Sequence, residues 1–194
     1  MALQIEQQVD VKRHLFTLAE YERICEAGVF EPGTRVELIR GEIVDMSPIG
    51  PKHRATVARL DRLFNRLVGD AALVWPQGNP VPLPESESLL QPDLTILRWR
   101  HDFYEGKNVL PEDVILLIEV SESSLKYDRG VKRALCAEAG IAEYWVVNLV
   151  DGVVEVCAHP SEGKYKSVRT VRRGGMLSLP AALGGSIAVA DALG

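Results

Sequence analysis

The sequence predicts an α+β fold, with a central mixed β-sheet flanked by helices and extra hairpins. Three observations lead there. Val114-Ile115-Leu116-Leu117-Ile118 is an apolar run without polar alternation, as expected of a strand covered on both faces. Val57, Leu60, Leu63, Phe64, Leu67 and Val68 recur at helical spacing between His53 and Val68, which predicts an amphipathic helix. Short strand-like runs broken by Gly, Pro and Asp-Gly pairs fill much of the remainder.

Taken in order, residues 1–13 read as a loose arm. Thr17-Leu18-Ala19-Glu20 is a capping-box pattern and opens a helix that runs to about Ala27-Gly28. Pro32-Gly33 marks a turn. Val36 to Ile39 and Glu42 to Met46 form a hairpin around Arg40-Gly41. After the His53–Val68 helix, Ala72 to Trp75 and Val81 to Leu83 are short strands, and Glu85 to Ser88 is a polar loop. Gln91 to Leu97 is a further strand-like run, and Arg98 to Asn108 an exposed loop or short helix. Ser121 to Tyr127 reads as a polar loop, with Asp128 as N-cap of a helix from about Arg129 to Ala139 and Gly140 beyond its end. Glu143 to Val150 is a second apolar strand. Asp151-Gly152 turns the chain into Val153 to Cys157, and Tyr165 to Val171 is another strand. The tail from Leu177 is apolar and rich in Gly and Ala, with no chemistry to assign. No repeat is visible, and the length suits one domain over 1–194.

Composition excludes several classes. Hydrophobic and charged fractions of 46% and 25% are ordinary for a globular protein. The net charge of −5 argues against a generally basic nucleic-acid coat protein. Cys25, Cys136 and Cys157 offer neither a disulfide framework nor a zinc motif. Residues Met1 to Asp10 are too polar for a signal peptide, and no apolar run reaches membrane-spanning length, so the cytoplasm is the expected location. P-loop, dinucleotide-binding and nucleophile-elbow glycine patterns are absent from the sequence.

The chemistry gathers around Glu119, which ends the apolar run. An ionised carboxylate at a buried strand end is costly without a partner or a metal. Asp93 stands near the start of the strand-like run Gln91–Leu97. If the two strands are neighbours, both carboxylates can converge on one hard divalent cation such as Mg²⁺ or Mn²⁺. Lys132, in the first turns of the next helix, then brings an ammonium toward a phosphate held there. Asp128, Lys132 and Cys136 lie four apart on one helix face. Asp93 has a plainer reading as a turn-capping acid. Arg59, Arg62 and Arg66 fit a solvated helix face as well as a DNA backbone.

Pro92-Asp93, Glu119-Val120-Ser121, Asp128-Arg129-Gly130-Val131-Lys132 and Ala139 to Trp145, in this order, resemble the Uma family of putative restriction endonucleases. That family belongs to the PD-(D/E)XK nuclease superfamily. Arg35 to Pro48, followed by His53, is similar to the family's opening, and the resemblance spans roughly residues 15 to 175. It implies a restriction-endonuclease-like core and a Mg²⁺-dependent endonuclease acting on DNA, often as a homodimer. Asp93 and Glu119 would hold the metal, Lys132 would be the active-site lysine, and Glu37 would be a fourth acid. Glu37 alone reads equally as an exposed strand glutamate, and His53 alone as a surface residue. The chain departs from the superfamily pattern where Ser121 stands two residues after Glu119 in place of lysine. It departs again at Cys136, where the family commonly has tyrosine. The alternative is a module that keeps the nuclease fold but only binds nucleic acid or protein.

Overall fold

The computed structural model describes residues 12–106 and 108–194. Most of the arm expected over 1–13 lies outside the described residues. The expected central sheet is six-stranded. Its strands in chain order are β3 (Ala72–Pro76), β6 (Leu94–Arg98), β7 (Val114–Ser121), β8 (Glu143–Asn148), β9 (Val153–Ser161) and β10 (Lys164–Arg172). They stand side by side as β10-β9-β8-β7-β6-β3. β7 and β8 pair in parallel, and the other pairings within this sheet are antiparallel. The sheet is therefore mixed, as the sequence predicts.

Residue alternation along β7 separates two faces. Leu116, Ile118 and Val120 enter one apolar cluster with Leu60, Phe64 and Val68 of helix α2 (Pro51–Val68). The same cluster takes in Leu177, Leu179, Ile187, Val189, Ala192 and Leu193 of the tail. That tail folds as the pair β11 (Met176–Ser178) and β12 (Ser186–Ala188), then α5 (Val189–Leu193). The apolar tail is thus core of this chain, because only burial against the sheet removes its apolar side chains from water.

Leu117 points the other way, and so does Glu119. On that face lies a second, four-stranded sheet ordered β2-β1-β5-β4. It is made by β1 (Val36–Ile39), β2 (Glu42–Asp45), β4 (Val81–Leu83) and β5 (Ser88–Leu90). Arg40 and Gly41 take φ of 50° and 79° in the β1–β2 hairpin, the left-handed pair such a tight turn requires. A Cβ on Gly41 would also come within 2.7 Å of Leu15 Cβ. Helix α1 (Leu18–Glu26) opens on the capping box, since Thr17 and Glu20 bond each other's backbone N–H.

Three local expectations change. Tyr104 is buried at the far side of the Arg98–Asn108 segment, where its hydroxyl donates to Arg98 O at 3.0 Å. β5 begins at Ser88, the last residue of the expected polar loop, and is not foreseen, because three residues are too few to show a period. The helix after β7 begins earlier than Asp128. It comprises α3 (Leu125–Tyr127), a π-helical turn (Asp128–Lys132) and α4 (Arg133–Glu138). No helix among the described residues is long and apolar enough to cross a membrane.

Candidate functional site

The antiparallel register of β6 and β7 pairs Leu94 with Ile118. The preceding residue, Asp93, therefore falls beside Glu119. On the other side of β6, Pro76 of β3 pairs with Leu94, which carries Gln77 toward Asp93. Gln77, Asp93 and Glu119 thus continue one cross-strand row at the end of the sheet. Asp93 and Glu119 are 4% and 3% exposed, so each needs compensation close by.

For Asp93 the compensation is a set of donors. Val120 N–H donates to its Oδ2 at 2.8 Å, and the Gln77 side-chain amide donates to its Oδ1. His53 Nε2 lies 3.0 Å from Oδ2. His53 reaches it from the first turn of α2, while its Nδ1 is buried with no hydrogen-bond partner.

For Glu119 the compensation is Lys132. Lys132 Nζ lies 3.0 Å from Glu119 Oε1, 2.9 Å from Glu37 Oε1 and 3.9 Å from Asp128 Oδ1. Glu37 arrives from β1 of the second sheet and is buried, not exposed on its strand. Its Oε1 also accepts the Gln91 backbone N–H at 2.7 Å. The four sequence candidates, Glu37, Asp93, Glu119 and Lys132, all line one cleft of about 460 Å³.

Asp128 is a further member, and its expected role changes. It does not cap a helix N-terminus. Its Oδ2 accepts the hydroxyls of Ser121 and Ser124 at 2.7 and 2.6 Å. Tyr144 donates its hydroxyl to the Asp128 carbonyl at 3.0 Å. The spacing of four between Asp128 and Lys132 was the available signal; the two serines that displace it from capping had no pattern of their own. Ser121, standing where the superfamily pattern has lysine, therefore anchors Asp128. The π turn inserts one residue into the helical ladder, with Arg133 N–H bonded to the Asp128 carbonyl, and such turns cluster at functional sites. Cys136 lies fully buried in the apolar cluster behind the cleft, and burial first, then the Glu119 charge, push its thiol well above the usual range. It is an unreactive packing residue.

Three carboxylates thus face one ammonium, and a fourth, Asp93, stands beside Glu119. Burial, reinforced by Asp128, Asp93 and Glu37, pushes Glu119 well above the usual carboxylate range, although Lys132 opposes the shift. Burial alone would lower Lys132, but Glu119, Glu37 and Asp128 outweigh it and hold the ammonium above the usual lysine range. Both directions share one cause: a buried, acid-rich site favours any bound proton or cation. Tyr127, whose hydroxyl is buried without a partner, is pushed up to about 12, by burial first and then by the Glu37 charge.

A divalent cation fits this donor set. The donors are hard oxygens, and the excess of negative charge is what a cation would relieve. Among the described residues no three or more His, Cys, Asp and Glu side chains form a ready ligand group. Two carboxylates with the rest of the shell filled by water is how Mg²⁺ is commonly held, and Asp93 and Glu119 are the pair that could hold it here.

The raised Glu119 sets a pH dependence. A carboxyl whose folded pKa is raised stabilises the fold below its unfolded value, 4.5, and this contribution is lost as pH rises through the folded value. In chelator, Glu119→Gln should therefore be more stable than wild type at neutral pH, with the gap closing as pH falls toward 4.5. Urea unfolding across that range checks the sign; a variant less stable at neutral pH contradicts it.

Comparison with known proteins agrees with this geometry at the level of family and fold. Residues 18–190 match the model of the Uma2 family, described as "Putative restriction endonuclease". Among solved structures, the chain is similar to a putative nuclease belonging to DUF820 from Anabaena variabilis ATCC 29413. The TM-score is 0.72 at 16% identity, over 92% of this chain and 97% of that one, a likeness of fold. No curated protein matches. With nearly its whole length matched by the family model, the chain belongs to the Uma2 family of putative restriction endonucleases.

Proposed function

We propose that the protein is a divalent-metal-dependent endonuclease that hydrolyses DNA phosphodiester bonds. The observation that carries this reading is the pairing of Asp93 and Glu119 on adjacent strands, with Lys132 Nζ 3.0 Å from Glu119 Oε1 in one cleft. Asp93 and Glu119 would hold Mg²⁺ or Mn²⁺. When bound, the cation supplies Lewis-acid stabilisation of charge on the phosphoryl group.

The chain's own residues do the rest. Glu119, Glu37 and Asp128 favour the ammonium form of Lys132, which suits it to a role other than general base. Its part is to orient an attacking water or to offset charge in the transition state. Glu37 fixes that ammonium from the second sheet, and the Ser121–Asp128–Ser124 hydrogen bonds fix the helix that carries it. Gln77, His53 and the Val120 N–H hold Asp93 in orientation toward the cleft. These contacts leave little rotamer freedom at the reacting centre, which is what positioning contributes to rate.

The metal and the chemistry separate by variant. Mn²⁺ or Mg²⁺ should raise the thermal midpoint of wild type, by the equivalent of about 2.7 kcal/mol at a hundredfold excess over its dissociation constant. Asp93→Asn and Glu119→Gln should remove most of that rise while remaining folded. Lys132→Ala should keep the rise yet lose plasmid nicking. Wild type showing neither a metal-dependent shift nor nicking would leave the non-catalytic module as the reading.

A two-fold homodimer is part of the same proposal, because a duplex presents two strands to cut. The apolar tail is not an argument for it, being buried within the chain. Light scattering at tens of micromolar (an order of magnitude suited to a standard interface) should give twice the chain mass; a monomer there contradicts the dimer.

A further inference from the structure

The floor of the cleft is acidic, yet its mouth carries two cations that the mechanism above does not use. Arg35 and Lys126 both line it. Among the described residues neither enters an ion pair. Arg35 makes one weak contact, from Nη1 to the Ser47 carbonyl at 3.5 Å, and Ser47 lines the cleft as well. Lys126 is exposed in the first turn of the helix that carries Lys132, where the aligned backbone dipoles disfavour a cation. Helix stability therefore does not account for it.

Register places Arg35 beside the acids. Along β1, Val36 and Leu38 turn away to cluster with Tyr21 of α1, so Glu37 and Arg35 share the opposite face. Val44 of β2 pairs with Glu37. Met46 N–H donates to the Arg35 carbonyl at 2.9 Å, which carries the same pairing past the end of β1. Arg35 thus stands one strand repeat, about 6.8 Å, from the buried Glu37 toward water. Met46, Ile49 and Val131 give the mouth an apolar wall, with Val131 39% exposed. Two acids share the mouth. The Glu122 carboxylate lies by Gly50, where a Cβ would come within 3.3 Å of it, so the positive end of the α2 dipole offsets its charge. Asp45 is exposed, and water screens it.

We propose that Arg35 and Lys126 each bind a phosphate next to the scissile one, while Met46, Ile49 and Val131 cover the sugar and base between. The choice of a nucleic-acid strand rests on the nuclease reading; the two cations at the mouth rest on position and charge. An acid-rich floor repels a polyanion, so attraction must come from cations that the acids have not already paired. Guanidinium and ammonium groups serve phosphate as charge-assisted donors. Each strand of a duplex carries one charge per about 3.4 Å of axis, so neighbouring phosphates fall within a strand repeat of the scissile one. A site for a bare anion would have no use for the apolar wall.

The test is fluorescence anisotropy of a labelled duplex oligonucleotide in EDTA across a KCl series, with the full chain. Arg35→Gln/Lys126→Gln should bind more weakly, and its log K against log[salt] slope should be shallower by roughly 1.8, at about 0.9 per lost phosphate contact. If the double variant fails to fold, Lys126→Gln alone should make the slope shallower by about 0.9. Val131→Ser should weaken binding and keep the wild-type slope; unchanged affinity there overturns the place given to sugar and base. Arg62→Gln/Arg66→Gln, the same change of charge at exposed positions of α2, should leave the slope near wild type. An unchanged slope in the mouth variants, or an equal loss in the α2 variant, overturns the proposal. Plasmid nicking in Mn²⁺, read in parallel, separates the two proposals. Nicking with an unchanged slope removes the phosphate sites and keeps the nuclease. Binding that depends on Arg35 and Lys126 without nicking keeps the phosphate sites and removes the nuclease.

Discussion

The structure depends on placing Lys132 among carboxylates that could not otherwise be buried together. Its Nζ is within 3.0 Å of both Glu37 and Glu119, and all three groups are almost wholly withdrawn from water. Removing that ammonium would leave uncompensated carboxylates in low dielectric, and losing one partner costs about 3–5 kcal/mol in comparable buried pairs. The ammonium therefore links three elements that are distant in sequence: β1 of the small sheet, β7 of the large sheet and the π turn. Asp93 needs no share of that charge, because Val120, Gln77 and His53 satisfy it separately.

Division of labour between the sheet faces follows from the period of two along β7. Leu116, Ile118 and Val120 pack under α2 and the tail. Leu117 and Glu119 face the small sheet and α4. The polar site is thus backed by a fully apolar layer, which raises the cost of every charge and the strength of every contact among them. The acid excess that remains is the physical reason to expect a cation. Stability is not what such an arrangement favours, since an apolar cluster of the same shape would be cheaper to bury.

Much of this was legible in the sequence. The run ending in Glu119 and the helical stripe of α2 are long and strongly periodic, and both elements form where expected. Asp93 and Lys132 could be connected to Glu119 because strand order and the following helix constrain where each can lie. Glu37 stayed ambiguous, since nothing local distinguishes an exposed strand glutamate from one held by a lysine 95 positions later. Gln77, Gln91 and Asp128 were harder still. Their roles come from register and from a π turn, neither of which leaves a compositional trace. The place of the tail was hidden for a similar reason: an apolar segment shows that it must be covered, but not whether its own chain covers it.

The central claim is that Asp93 and Glu119 form a single cation site beside Lys132. A crystal soaked in Mn²⁺ and measured for anomalous scattering tests it most directly. The expected result is one strong peak in contact with carboxylate oxygens of both Asp93 and Glu119, with Lys132 Nζ close by but outside the ligand shell. Manganese bound elsewhere, or a cleft that stays free of it at saturating concentration, would contradict the account.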